Sequence, residues 1–147
     1  MNFKKMLLAT LMLVALAAPA LAQNDMIEIM RSDLRTEKMA IVTKAMQLTE
    51  VQSEAFWPVY KEYEAELIKM NDSRVQLIKD YAASYDTMTD ETAKDLIKRS
   101  FKLQEGRQKL LKDYVSKMSK VTDMKTAARW AQVEQTLGAA VDLQIGA

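Results

Sequence analysis

The chain has 147 residues, a formal charge of +1, and neither histidine nor cysteine. It therefore lacks the commonest general base, the commonest transition-metal ligands and the most reactive nucleophile, and it can form no disulfide. Its length suits one domain, and a charge so near zero gives no ground for a nucleic-acid partner.

The first segment, "MNFKKMLLATLMLVALAAPALAQND", has the form of a secretory signal. Lys4 and Lys5 supply a positive start, an apolar stretch too short to span a bilayer follows, and Ala20-Leu21-Ala22 forms a small-residue cleavage site. Residues 1–22 are read as a cleaved signal peptide and residues 23–147 as a single all-helical domain. No later run is long and apolar enough for an integral membrane segment.

Glycine and proline are scarce in the remainder, so other residues must mark the helix starts. "LTEVQ" at Leu48, "MTDET" at Met88 and "VTDMK" at Val121 each carry an apolar residue, a threonine and an acid. A threonine hydroxyl accepts from an orphan N–H of the first helical turn, and the acid meets the positive end of the helix dipole. Helices are thus expected to begin just after Thr49, Thr89 and Thr122, behind an earlier helix from about residue 25 to residue 46. Leu48, Thr49 and Gln52 form the capping motif of the second helix, with Gln52 at the third helical position to close a capping box.

The second helix carries an apolar seam: Phe56, Tyr60, Tyr63, Leu67, Met70, Leu77 and Tyr81, with Arg74 in phase. Alternation by four and three is a coiled-coil period, and a helix this long spans about 50 Å. Pro58 falls within it. It removes one main-chain bond and crowds the Glu54 carbonyl, so a kink in a continuous helix is expected there, because the seam keeps its register on both sides.

The third helix has two adjacent seams. One runs through Leu96, Leu103, Leu110 and Tyr114; the other runs through Ile97, Phe101, Leu111 and Met118. So wide an apolar face must meet two neighbours: the second helix and either another helix or a second subunit. The fourth helix offers Ala127, Trp130, Val133, Leu137 and Val141, with a small-residue patch at Gly138. Acids outnumber bases 14 to 8 between Asp25 and Glu91, and bases outnumber acids 11 to 4 between Lys94 and Arg129. The two halves should attract each other. The expected architecture is all-α: an elongated antiparallel hairpin or bundle of about four helices, two of them long.

Catalytic chemistry finds no purchase. Glu50 and Glu54, like Glu62 and Glu66, sit one turn apart but beside lysines on solvated faces. There is no glycine-rich phosphate loop and no nucleophile elbow. The expectation is a non-enzyme with no metal and no cofactor. The eight methionines after residue 22 read as adaptable core filler or yielding contact surface.

"LTEVQ" resembles the L-T-x-x-Q motif of the Spy and CpxP group of bacterial periplasmic proteins. The second candidate, "MTDETAK", keeps the threonine but has Thr92 where that group has glutamine. The resemblance implies a periplasmic location, a dimeric cradle-shaped helical fold, and an ATP-independent chaperone or envelope-stress protein. Its partners would be non-native polypeptides, or alternatively a periplasmic sensor domain. A structural helical protein without clients is the remaining reading. The residues expected to touch clients are Ile97, Phe101, Leu111 and Met118, bordered by Lys98, Lys102 and Lys109.

Overall fold

The computed structural model describes the backbone of residues 20–146 and the side chains of residues 32–142. These residues are all-α: α1 (Ala20–Met46), α2 (Glu50–Ser84), a 3-10 turn at Tyr85–Thr87, α3 (Asp90–Val121) and α4 (Met124–Gly146), with no strand among them. Residues 1–19 of the expected signal peptide lie outside the described residues; residues 20–22 open α1. The chain divides into two units, Met1–Ile41 and Val42–Ala147. In the first, the described side chains belong to α1, where Leu34, Met39 and Ile41 are each about half exposed. The second holds the last turn of α1, the hairpin of α2 and α3, and α4.

Each boundary has a local cause. Gln47 ends α1 in the left-handed region, with φ 45, at a position where glycine is the usual choice. Thr49 caps α2: its hydroxyl accepts from the Gln52 N–H at 3.3 Å while the Gln52 side chain accepts from the Thr49 N–H at 3.1 Å. The expected capping box is therefore present. Thr89 caps α3 through the Thr92 N–H at 3.2 Å. The third expected cap is off by one residue. The Thr122 hydroxyl turns back to the Met118 carbonyl and closes α3, and Asp123 caps α4 by accepting from the Thr126 N–H at 2.8 Å. Aspartate competes well with threonine for this role because its carboxylate also meets the helix dipole.

α2 runs unbroken through Pro58, which is exposed. Val59 and Tyr60 beside it are buried, so the missing donor faces water, where the Glu54 carbonyl can be solvated. At 35 residues α2 is about 50 Å long, and α3, with 32, lies against most of it. The acidic and basic halves meet across the hairpin, through Glu62 with Lys117 and Asp80 with Arg99.

The core gathers at one end. Val42 and Met46 from α1, Phe56, Tyr60, Tyr63 and Leu67 from α2, Leu111 and Met118 from α3, and Ala127 and Trp130 from α4 form one buried cluster. Trp130 is its centre. Its ring packs edge-on against Tyr63 at 5.0 Å, Phe56 at 6.3 Å and Tyr60 at 6.5 Å between centroids. Burying one such aromatic contributes about 4 to 6 kcal/mol as an upper figure from its area. α4 is thereby held to α2 as well as to α3. The second neighbour that the doubled seam of α3 demands is the fourth helix.

Candidate functional site

α4 lies along the groove between α2 and α3. Trp130 seats it near the start, and Asp142 ties it near the end, to Arg74 of α2 at 2.5 Å and Arg107 of α3 at 3.6 Å. The groove does not stop there. On α2, the face that carries Phe56, Tyr60, Tyr63 and Leu67 to Trp130 returns three helical turns later as Ile78, Tyr81 and Tyr85. On α3, heptad steps back from Met118 and Leu111 lead through Gln104 to Ile97. These residues, with Leu77, Met88, Ala93 and Leu96, line an open apolar groove of about 470 Å³ at the tip of the hairpin. No described α4 residue lines it.

The exposure there is large. Ile97 is 58% exposed, Phe101 59%, Tyr85 65% and Tyr81 50%, in adjacent positions and not scattered singly. Tyr81 and Tyr85 pack edge to face at 5.9 Å, which gives one wall a fixed aromatic surface. The two walls are clasped from outside the groove: Arg99 reaches Asp80 at 2.6 Å, and Gln76 donates to the same carboxylate at 2.8 Å. These bonds hold the Asp80 carboxyl below the usual carboxylate range. Along the α3 wall, Lys94, Lys98 and Lys102 follow at one-turn spacing, all exposed and without an ion pair among the described residues. One border of an apolar groove is therefore positively charged.

The residues expected to touch clients separate into two groups. Ile97 lines this groove; Phe101 stands exposed one turn further along α3, and Lys98 and Lys102, exposed beside them in the chain, lie outside the lining. Leu111 and Met118 lie elsewhere: Met118 is wholly buried, and both belong to the core beneath α4. They are removed from the accessible surface because α4 covers that half of their seam. Lys109 is also displaced. It pairs with Asp113 one turn away on its own helix, at 2.5 Å, and borders neither wall of the tip groove. Sequence reasoning missed Ile78, Tyr81 and Tyr85 on the facing wall, and Lys94. The period of α2 already placed Tyr81 in its seam; what it lacked was a sign that no described α4 residue reaches that end.

The capping motif also takes part in tertiary structure. Besides closing the α2 box, the Gln52 amide donates to Asp123 and to Thr126, each at 3.4 Å. The start of α2 is thereby joined to the start of α4. Bonds from the Thr126 main chain and side chain, with Gln52 behind them, hold the Asp123 carboxyl below the usual carboxylate range. Leu48 packs on the core cluster from the side.

A second cavity, of about 910 Å³, lies between α3 and α4 and is lined mostly by polar and charged residues. Its charged groups serve packing. Arg107 runs across Gly138, whose missing side chain leaves room for the guanidinium, and Glu134 is buried beside Tyr63. Burial first, then the Glu64 and Glu134 carboxylates, push the Tyr60 and Tyr63 phenols far above their ordinary value. Among the described residues no three metal-ligating side chains cluster, and no helix is long and apolar enough to cross a membrane. The chain matches no protein-family model, no curated protein and no solved structure.

Proposed function

We propose that this protein is an ATP-independent holder of non-native polypeptides, exported to the periplasm by its N-terminal signal, and that the tip of the α2–α3 hairpin is its contact surface. The observation that carries this reading is the uncovered groove. Large apolar side chains on two helices stand open to water beside three unpaired lysines, and monomeric proteins seldom leave so contiguous an apolar face exposed without a use for it. Non-native chains offer what such a surface accepts, namely apolar segments that have lost their own core.

The charge pattern of the chain supports the same reading. Apolar contact supplies affinity that does not depend on sequence detail, and Lys94, Lys98 and Lys102 raise the rate of encounter with acidic segments. The likeness of "LTEVQ" to the Spy and CpxP motif points the same way. So do the absence of histidine and cysteine from the sequence and the expected export to a compartment without nucleotide. A dimer, implied by that likeness, would bring two such grooves together.

The test is suppression of aggregation of a denatured client at near-stoichiometric ratio, without nucleotide. Wild-type protein should slow light scattering, less strongly at high salt but still measurably. Phe101→Ser and Tyr85→Ser should lose most of the effect with unchanged melting temperature. Wild-type protein that protects none of several clients would leave docking on a sensor domain as the better reading.

A further inference from the structure

We infer that the tip groove takes its partner as an amphipathic α-helix, laid along the hairpin as a continuation of α4 and bearing acidic residues on the side that meets α3. This rests on the contact surface proposed above and specifies what that surface recognises.

The groove is not a shapeless apolar patch. It is the uncovered length of a groove that already holds a helix. α4 lies on the faces of α2 and α3 that continue, at the same helical phase, into Ile78, Tyr81 and Tyr85 on one side and Ile97 on the other, with exposed Phe101 one turn beyond Ile97. Two antiparallel helices present a trough whose width is set by their separation. The trough that α4 fills at one end keeps its walls at the other, clasped by Asp80 and Arg99. An incoming helix there finds the ridges and grooves that α4 finds.

An extended strand fits worse. It carries unpaired main-chain donors and acceptors, and the tip offers side-chain walls with no sheet edge to receive them. A helix brings its main-chain bonds with it and leaves only side chains to be accommodated. The bare stretch, from Leu77 to Tyr85 on one wall and from Ala93 to Ser100 on the other, is about 10 to 12 Å long. It thus accepts two to three turns, read as apolar anchors at three- and four-residue spacing.

Charge sets the orientation about the helix axis. Lys94, Lys98 and Lys102 form one row at one-turn spacing along α3. The facing wall, on α2, is lined by Leu77, Ile78, Tyr81 and Tyr85, none of them charged. A bound helix therefore gains from glutamates on one flank only, at the matching spacing, and is penalised for lysines there.

Labelled synthetic peptides added to the full chain test this by fluorescence anisotropy. The first peptide is apolar at helical spacing with glutamates on one flank. The second has the same composition with the apolar residues at alternate positions. The third replaces the flanking glutamates with lysines. The first should bind at least tenfold more tightly than either of the others and gain helical circular dichroism on binding. Phe101→Ser should weaken it tenfold or more. Changing Lys94, Lys98 and Lys102 to glutamate should invert the preference between the first peptide and the third. All the altered positions are exposed, and an unchanged melting curve will verify that these variants fold.

Equal binding of the first two peptides overturns the helical occupant, and leaves the holding function standing if aggregation is still suppressed. Binding that Phe101→Ser does not weaken overturns the site. A wild-type dimer in sedimentation that Phe101→Ser dissociates assigns the groove to a second copy of the chain and overturns the inference. Loss of both peptide binding and aggregation suppression in the wild type overturns the function as well, so the two failures are distinguishable.

Discussion

The two ends of the α2–α3 hairpin are built from the same pattern and meet opposite fates. At the end near Thr49 and Val121 the seam residues Phe56, Tyr60, Tyr63 and Met118 are buried around Trp130. At the tip the same seam ends in Tyr81, Ile97 and Phe101, half exposed or more. The helical period does not change between them. What changes is the number of helices: three pack at the covered end, together with the last turn of α1, and two at the bare end. An apolar seam says which face seeks cover. Whether that face is covered depends on how far a third helix reaches.

The largest effects should therefore come from the covered end. Trp130→Ala should cost about 3 to 5 kcal/mol, and Met118→Ala about 2 to 5, because each removes buried contact and leaves a cavity. Phe101→Ser should change stability by no more than about 0.5 kcal/mol, the usual range for an exposed site. Denaturant melts read all three. A loss at Phe101 comparable to that at Met118 would mean that the tip is packed in solution, and the contrast between the ends would collapse.

Much of the covered end was legible in the sequence because its causes are local. Thr49 and Thr89 announce themselves as caps through a hydroxyl and a neighbouring acid. The seam of α2 declares itself through spacing, and its continuity across Pro58 foretells an unbroken helix. The Thr122 cap was misplaced by one residue because Thr122 and Asp123 are both good caps. Only the route of the chain out of α3, which turns the Thr122 hydroxyl back to Met118, decides between them. The candidate site was half legible. Ile97, Phe101, Leu111 and Met118 share a stripe that sequence alone cannot divide, because the divider is α4, which covers Met118 and Leu111 and leaves Ile97 open. Lys109 stands apart for a similar reason: it pairs with Asp113 one turn further along its own helix, and lysine rows look alike until their partners are known.

Effects of middle size should come from the junction of caps that locks the covered end. Thr49→Ala and Asp123→Ala should each cost about 1 kcal/mol, the ordinary loss of a capping oxygen. Gln52 bonds to both caps, so Gln52→Ala combined with either should cost less than the sum of the single changes. A strictly additive double-mutant cycle would show that the two helix starts are independent. Asp123 also carries a pH signature. Its carboxyl is lowered in the folded chain, so its contribution is present above the ordinary carboxylate value, about 3.9, and is lost as pH falls below that through the lower folded value. Asp123→Asn retains a capping oxygen and should flatten that part of the acid-stability profile.

The smallest effect marks the boundary between the two ends. Gly106 sits inside α3, and no glycine has a positive φ, so no main-chain conformation requires it. A side-chain carbon there would meet the Met70 methyl of the facing helix at 2.8 Å. Two terms compete. Alanine gains about 1 kcal/mol of helix propensity over glycine. Against this, the Met70 side chain must move by a fraction of an ångström. Methionine has three rotatable bonds and Met70 is only partly buried, so it can turn aside at little cost. Gly106→Ala should thus raise stability by up to about 1 kcal/mol. Gly138→Ala should gain less, because its new carbon meets the Arg107 guanidinium at 2.6 Å and displaces a group that pairs with Asp142. If Gly106→Ala instead destabilises the protein by a kilocalorie or more, Met70 cannot yield. The close-packed region would then reach the level of Arg74 and Arg107, where Asp142 ties α4 to the hairpin.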